Sequence, residues 1–344
     1  MAVFQTLGVP TSFKTIERVS EQVGAEVARE LHGAFARVDA PAEAPPNRAE
    51  LFVLQGDGMR VRELVGGSDT RTAEAADPPP AAEDELPEAD RAAGWKECKV
   101  GVVVRCLPGR VKPDGEYEPP QTLVQTCVAT MADVHGFGPK LRAEADRKGL
   151  ARAERVAAVS DWGHGLPGMW EREFGDVEMT FITDFAHVNE RLSASAKAVL
   201  GEGAGSVALH KRWEGLLYDG KSGELLKELT SRAEEQAPRP GRPSDLPEGT
   251  PGRILWAHVF YIEERRDTMR YPEYRAAGLP MGSGQVEAMC KVIGNRMKAA
   301  SKRWKPVTGS EAMANLIAAR ASGDGRWERR WPAPVYPAPE MQPT

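Results

Sequence analysis

The alternation of apolar and polar residues predicts β-strands in the first half of the chain. Residues 50–62, 96–106 and 122–131 are rich in valine and threonine, and residues 155–161 and 177–185 are shorter runs of the same kind. Helical spacing is found at residues 133–150 and 166–174. Three early strands suit antiparallel pairing, whereas the later alternation of strand and helix requires parallel crossovers.

Helical periodicity dominates the second half of the chain. Residues 186–270 predict helices, interrupted at residues 234–253 by five prolines that a helix interior does not tolerate. Residues 283–301 predict a further helix, with an apolar stripe at helical spacing formed by Val286, Met289, Ile293 and Met297. The pattern as a whole predicts an α/β fold.

A small helical unit is predicted near the amino terminus, at residues 11–36. Its stretch LGVPTSFKTIERVSEQVG allows two interpretations. It could be a helix-turn-helix that binds DNA, or it could be two amphipathic helices that pack on a neighbouring element, which is the commoner arrangement.

Composition narrows the class of protein. The chain of 344 residues can hold two or three domains, and its apolar runs fall short of the ~18–20 residues that a membrane-spanning helix needs. A secretory signal is not visible, so we expect a cytoplasmic protein without membrane contact. Four cysteines without a CxxC pair argue against a zinc ribbon or a disulfide framework.

Charge is unevenly distributed along the chain. The formal net charge of −5 argues weakly against DNA binding. Residues 74–90 are acidic and rich in proline, whereas residues 291–305 carry only positive charges, at Lys291, Arg296, Lys298, Lys302, Arg303 and Lys305. The second segment could follow a phosphate backbone, so the net charge decides little.

Three acidic residues are candidates for a metal centre: Asp57 in the first strand, Asp161 at the end of the fourth and Glu287 early in the late helix. Carboxylates suit Mg²⁺, a hard cation, and phosphodiester chemistry uses two ions roughly 4 Å apart. The three would meet if strands one and four are neighbours and the helix crosses them. Each also has a simpler interpretation: a hairpin turn at Asp57-Gly58, an ordinary strand end at Asp161, and a surface ion pair of Glu287 with Lys291.

Taken together, these motifs resemble the DDE transposases of bacterial insertion sequences, in particular the ISKra-type group related to Mutator-like elements. The matching segments span residues 50–305 and are LFVLQGDGMRV, WKECKVGVVVR, RVAAVSDWGHGLPGMW, ITDFAHVNERL and MGSGQVEAMCKVIGNRMKAASKRW. Asp184 and His187 resemble the [Cys or Asp]-x-x-His motif of that group. An N-cap role for Asp184 is an equal alternative, and both can hold. His164 departs from the family's usual pattern after the second Asp.

The resemblance implies a ribonuclease H-like mixed sheet with flanking helices. It implies that Asp57, Asp161 and Glu287 bind two Mg²⁺ or Mn²⁺ ions, with Asp184 and His187 near the active site. The basic residues implied to hold DNA phosphates are Lys291, Arg296, Lys298, Lys302 and Arg303. Its partners would be double-stranded DNA, at element ends and target, and further copies of the chain in a dimer or larger assembly at the bacterial nucleoid.

The expected division of the chain follows the same resemblance. A helical N-terminal region (1–46) precedes the first part of the ribonuclease H-like domain (47–189), in which residues 63–94 form a disordered loop. A helical insertion (190–272), the final helices of the domain (273–322) and a tail (323–344) complete it. The expected function is metal-dependent DNA cleavage and strand transfer. The alternatives are an inactive, transposase-derived DNA-binding protein and a ribonuclease H-like nuclease without strand transfer.

Overall fold

The structure, a computed structural model, describes six segments of the chain: residues 13–33, 50–63, 94–163, 165–298, 303–304 and 308–330. The predicted disordered loop at residues 63–94 lies outside the described residues from 64 to 93. His164 and Lys302 also lie outside them.

A mixed five-stranded sheet forms the centre of the protein, in the order β5-β2-β1-β6-β7. Its strands are β1 (Leu51–Arg62), β2 (Trp95–Leu107), β5 (Gln121–Thr130), β6 (Val156–Ser160) and β7 (Thr180–Thr183), and a small hairpin is formed by β3 (Arg110–Val111) and β4 (Tyr117–Glu118). β2 runs antiparallel to β1 and β5, whereas β1, β6 and β7 are parallel. The predicted α/β class, with antiparallel early strands and parallel later ones, is confirmed.

Helices cover both faces of this sheet. They are α1 (Phe13–Gly33), α2 (Val134–Arg147), α3 (Leu166–Phe174), α4 (Phe185–Leu200), α5 (Ala204–Tyr218), α6 (Ser222–Gln236), α7 (Pro251–Arg265), α8 (Tyr271–Ala276), α9 (Gly284–Met297), α10 (Gly309–Ala321) and α11 (Arg326–Arg330). The proline-rich interruption of the helical region falls between α6 and α7, as predicted. The helix α10 falls within residues 273–322, where the final helices were expected, whereas the hairpin β3–β4 was not predicted from the sequence.

The alternation along β1 separates two apolar cores. Val53 and Met59 point to a core shared with α4–α10, whereas Phe52 and Leu54 point to a second core under α2 and α3. Successive side chains of a strand point to opposite faces, so the odd-numbered residues of β1 share the face that α9 covers. Asp57 belongs to this odd-numbered set.

Local chemistry sets where several helices begin. The Asp133 side chain accepts a hydrogen bond from the Gly136 amide at 3.0 Å and caps α2. Thr250 caps α7 in the same way, and Pro251 occupies the first turn, where it costs no hydrogen bond. The predicted strand at 177–185 is shorter than expected because Asp184 begins the next helix.

The N-terminal helix is a single element that packs on α10. Gly24 sits at the contact, since a Cβ there would lie 2.2 Å from the Ala312 carbonyl oxygen. Arg330 of α11 pairs with Glu30 and, at 2.9 Å, with Glu26. Residues 13–24 of the possible helix-turn-helix lie within one uninterrupted helix, so this part packs on a neighbouring element as expected but does not form two helices. Residues 7–12 lie outside the described part.

The segment that follows α10 is folded, although residues 323–344 were expected to be a tail. Asp324 accepts a 2.6 Å hydrogen bond from Lys148, and Arg326 pairs with Glu144 at 2.5 Å. These contacts hold residues 323–330 against the end of α2. The expected tail can therefore start only after residue 330, beyond which the chain lies outside the described residues.

Within the described part of the chain, every helix is too short or too polar to cross a lipid bilayer.

Candidate metal centre

The register of the sheet brings Asp57 and Asp161 side by side. β1 and β6 are parallel, and Gln55 pairs with Val159. Two residues further along each strand stand Asp57 and Asp161. Neighbouring strands lie about 4.8 Å apart, so the two carboxylates project from adjacent positions at the carboxyl edge of the parallel strands. The neighbouring strands that the predicted convergence requires are present.

The same register places Asp184 next in the row. Ser160 pairs with Thr183 across β6 and β7, so the residues that follow them, Asp161 and Asp184, are again neighbours. The Asp184 amide donates to the Ser160 carbonyl at 3.0 Å, which extends the pairing to this point. Three aspartates from three parallel strands therefore line one edge of the sheet.

Asp57 lies inside a long strand, where it pairs with Val100 of β2, so the hairpin-turn interpretation is wrong. Its Oδ1 accepts the Gly58 amide at 2.6 Å, and its Oδ2 lies 3.6 Å from the Cys290 thiol of α9. Burial, and then the negative charge of Asp161, raise the pKa of Asp57 to about 6. Without a cation, this pair of carboxylates is therefore electrostatically unfavourable.

The turn after β6 fixes Asp161 through a strained backbone. Among the described residues other than glycine, Trp162 alone has a positive φ, of 57°. Its amide donates to Ser160 Oγ at 3.0 Å, and the Gly163 amide donates to Asp161 Oδ1 at 2.9 Å. Strain of this kind persists where surrounding contacts hold it, and it concentrates at functional sites.

Those surrounding contacts come from α7. The Tyr261 hydroxyl donates to the Asp161 carbonyl at 2.9 Å, and Arg265 donates to the Trp162 carbonyl at 3.3 Å. The guanidinium groups of Arg191 and Arg265 each lie 4.1 Å from the centre of the Tyr261 ring. This helix thus supports the turn that carries Asp161.

Glu287 lies on the same side of the sheet as the two aspartates. It occupies the first turn of α9, and its Oε1 lies 4.0 Å from Nε2 of His187. Cys290, three residues further along the same helix, reaches Asp57. The carboxylate of Glu287 is therefore directed toward the sheet edge, in contrast to the interpretation as a surface ion pair with Lys291.

Asp184 joins two helices to the edge of the sheet. It is fully buried, and its Oδ1 accepts the His187 amide at 3.1 Å, which makes it the N-cap of α4. Its Oδ2 accepts the Ser283 amide at 2.5 Å and also the Ser283 hydroxyl. Two helix N-termini thus stabilise its negative charge. The N-cap role is confirmed, and Asp184 also lies beside the candidate site.

His187 completes a second group of possible ligands. Asp184, His187 and Glu287 each offer one ligand atom, and these atoms lie within 4.8 Å of one another, as a bound metal ion requires. Asp184 already accepts three hydrogen bonds, so His187 and Glu287 are the better donors of this group. Glu287 is shared between this group and the pair of aspartates.

The donor set fits a divalent cation. Carboxylate oxygens are the ligands that Mg²⁺ and Mn²⁺ prefer, whereas an imidazole such as that of His187 is a more usual ligand of Zn²⁺ or Fe²⁺. The raised pKa of Asp57 reflects its burial and its repulsion by Asp161, and a bound cation would relieve that repulsion. The structure therefore supports a candidate metal site formed by Asp184, His187 and Glu287, with the pair Asp57 and Asp161 beside it at the sheet edge.

The predicted phosphate-binding residues occupy the far half of α9. Lys291, Arg296 and Lys298 are exposed, and Arg303 is partly buried, whereas Lys302 lies outside the described residues. Gly294, which the sequence places on the face of Glu287 and the lysines, is buried against Met59. The exposed surface of the helix is therefore basic.

Trp304, at the end of the last matching segment, packs against the end of β1 and α9. Its indole Nε1 donates to the Met297 carbonyl at 3.0 Å, and its amide donates to the Arg62 carbonyl at 3.1 Å. The second bond attaches the Trp304 backbone to Arg62, the last residue of β1.

Several residues of the site were missed by sequence reasoning. Gln55, Cys290 and Tyr261 contact the candidate ligands or the backbone that carries them. Gln55 could have been noticed in the sequence, because it is a polar residue that follows four apolar ones in β1 and stands two positions before Asp57. Tyr261 gave none, because its partner is a backbone carbonyl 100 residues away.

Comparisons with protein-family models, curated proteins and solved structures found no match to this chain.

Proposed function

We propose that this protein is a DNA transposase of the DDE type, which cuts and joins DNA with the help of divalent metal ions. One observation carries the proposal. Asp57 and Asp161 stand side by side on adjacent parallel strands, and Glu287 lies on the helix whose Cys290 contacts Asp57, although the three are far apart in the sequence. Acidic side chains on rigid elements, directed to one point, suit phosphodiester chemistry better than a structural role.

The architecture supports the same proposal. A mixed sheet in which the first long strand lies between the second and the fourth is compatible with a ribonuclease H-like fold. Helices α4–α8 separate the last strand from α9, in the position expected for a helical insertion. We therefore propose a ribonuclease H-like catalytic domain with its last acidic residue on α9.

The metal ions, when bound, would activate the attacking oxygen and stabilise the leaving one. Asp57 and Asp161 would hold one ion between adjacent strands, and Glu287 would complete the coordination of a second. His187, whose imidazole lies 4.0 Å from the Glu287 carboxylate, orients that carboxylate or shares the second ion. The turn at Trp162 holds Asp161 in place during the reaction.

DNA would lie across the exposed face of α9. Lys291, Arg296, Lys298 and Arg303 follow Glu287 on or just after this helix and would contact backbone phosphates of double-stranded DNA. Contacts of this kind position DNA without selecting its sequence. Assembly into a dimer or larger oligomer on paired DNA ends, at the bacterial nucleoid, belongs to the same proposal.

A nicking assay tests the proposal. The purified full chain is incubated with supercoiled plasmid in Mg²⁺, in Mn²⁺ or in a chelator. We expect nicking only with metal, and its loss in Asp57→Ala, Asp161→Ala and Glu287→Ala at unchanged melting temperature or higher. Glu190→Ala is the matched control, because this exposed acid lies 3.8 Å from His187 on the outer side. Nicking that persists in the chelator would refute the mechanism.

The products separate the proposal from its alternatives. Joined molecules indicate a transposase, whereas cut but never joined DNA indicates a nuclease without strand transfer. A gel shift that survives chelation, with no nicking in any metal, indicates an inactive DNA-binding protein.

A further inference from the structure

The first turn of α9 lacks a cap from its own sequence. The first amides of a helix have no partner within the helix and are usually satisfied by the side chain of the N-cap residue. Ser283 occupies that position here but makes no capping bond with its side chain. Its hydroxyl instead donates to Asp184. A side-chain cap for this helix must therefore come from another element of the fold.

Gln55 of β1 supplies it. The side chain is fully buried, and its Oε1 accepts the Val286 amide, in the first turn of α9, at 2.9 Å. Its Nε2 donates to Gln285 Oε1 at 2.7 Å. Both ends of the amide are thus used between the strand and the helix, 231 positions apart at the Val286 contact.

The position of Gln55 links two of the candidate ligands. It stands two residues before Asp57 on the same face of β1, and Val286 directly precedes Glu287. One side chain therefore joins the strand that carries Asp57 to the helix turn that carries Glu287. Asp184 holds the same turn from the other side, through Ser283.

We propose that Gln55 is a positioning residue of the candidate metal centre. It caps α9 from the central strand and thereby sets the position of Glu287 along the sheet relative to Asp57. This inference rests on the proposed function. Metal centres need their ligands within about 0.5 Å of the productive geometry. A residue without the side-chain amide would leave the Val286 amide with only its 3.0 Å bond to the Ser283 carbonyl and would remove the link between α9 and β1, so that α9 could shift along the sheet.

Binding of Mn²⁺ to the full chain without DNA, measured by electron paramagnetic resonance or calorimetry, tests the inference apart from catalysis. Gln55→Met keeps the shape of the side chain but not the cap. We expect it to bind Mn²⁺ about 10- to 100-fold more weakly, as is usual for residues that orient metal ligands. Gln285→Ala removes one of the two acceptors of Nε2, the other being the Gly282 carbonyl at 3.5 Å, and should bind Mn²⁺ within about threefold of wild type, since the cap remains.

Two further variants separate positioning from stability. Thr126→Val replaces another buried polar strand residue, one whose hydroxyl has no partner, and should leave Mn²⁺ affinity unchanged whatever it does to the melting temperature. Gln55→Glu retains the acceptor for Val286, so it should fold and bind Mn²⁺ more tightly than Gln55→Met. If Gln55→Met does not fold, Gln55→Glu decides through its comparison with wild type, with binding within about tenfold expected.

The outcomes are distinct. Wild-type affinity in folded Gln55→Met, or a more than tenfold loss in folded Gln55→Glu, overturns the positioning role while the proposed function stands. Failure of the wild-type protein to bind Mn²⁺ at all overturns the proposed function, and the role of Gln55 with it.

Discussion

The buried carboxylate of Asp57 lowers the free energy of unfolding of the metal-free protein when it is ionised. Its folded-state pKa, about 6, lies above the ordinary value of 3.8, because the carboxylate is buried and faces Asp161. The folded, metal-free protein therefore holds the Asp57 proton more tightly than the unfolded chain does. Stability is greatest below pH 4 as far as this group is concerned, and it falls as the pH rises through 6.

Asp57→Asn removes this repulsion while keeping the acceptor for the Gly58 amide. In a chelator at pH 8 we expect the variant to be more stable than wild type, by on the order of 1–3 kcal/mol, because a shift of one pKa unit corresponds to about 1.4 kcal/mol. At pH 4 the difference should disappear. Thermal melts at both pH values measure the effect, and adding Mg²⁺ should raise the melting temperature of wild type but not of the variant.

An unchanged melting temperature of Asp57→Asn at pH 8 would contradict the unfavourable pairing with Asp161. Lower stability of Asp57→Asn at both pH values would instead indicate that the Asp57 carboxylate stabilises the conformation of β1.

How much of the site could be predicted depended on what each residue contacts. Asp57, Asp161 and Glu287 were predicted as a set because their residue type and their order along the chain match a known chemistry. Gln55 and Tyr261 were missed because they act on backbone groups, whose partners depend on the fold and not on a motif.

At the scale of elements, the contact between α1 and α10 depends on a glycine. Glycine inside a helix usually lowers stability relative to alanine by 0.5–1 kcal/mol, so its presence needs a reason. Here the reason is close approach, since a Cβ at Gly24 would meet the Ala312 carbonyl. Gly215, inside α5, is exposed and has open space around it. The two glycines therefore form a natural pair for comparison.

We expect opposite effects from the same substitution. Gly24→Ala should destabilise the protein by about 1–3 kcal/mol, the usual cost of overpacking, and expose α1 to proteolysis. Gly215→Ala should stabilise it by roughly 0.5–1 kcal/mol. Urea denaturation and limited proteolysis measure both. Stabilisation by Gly24→Ala would show that the helices can separate without cost.

Element boundaries were predictable where the chain itself marks them. Helix α3 begins and ends at the predicted residues, since a positive-φ glycine and a proline mark its start. β7 was predicted too long because Asp184, an apparent strand residue in the sequence, caps the next helix. The small hairpin β3–β4 has two residues per strand, too few for alternation to be visible.

For the molecule as a whole, a buried cluster of charges fastens the last described residues to α2. Lys148, Glu144 and Asp324 are almost fully buried, and Arg326 is 11% exposed. Burial alone would raise the pKa of Asp324, but the hydrogen bonds and charges of Arg326 and Lys148 outweigh it and hold the pKa well below its usual range. The cluster thus contributes stability above pH 4 that is lost as the pH falls further.

Removal of Arg326 should leave two buried carboxylates with one cationic partner fewer each, because Glu144 would retain only Arg147 and Asp324 only Lys148. For Arg326→Ala we expect a loss of about 3–5 kcal/mol at pH 7, measured by urea denaturation, and a smaller loss at pH 3. Arg172→Ala is the control, because this arginine pairs with Glu173 at a more exposed position. An equal effect of the two substitutions would mean that the cluster is no stronger than a surface pair.

The overall topology was predictable only in part. Strand types and their order along the chain follow from local patterns, and they led to the mixed sheet that the structure has. The docking of α1, α10 and residues 323–330 rests on contacts between distant segments, such as the pairing of Arg330 with Glu26, which no local pattern reveals.

The long separation between Asp161 and Glu287 has a consequence for biosynthesis. A ribosome adds about 5–20 residues per second, so the glutamate emerges roughly 6–25 seconds after the second aspartate, 126 positions earlier. During that interval the nascent chain holds a repelling acidic pair without its third member. Translation that stops before α9 thus releases a polypeptide that lacks Glu287 and the helix that covers this face of β1.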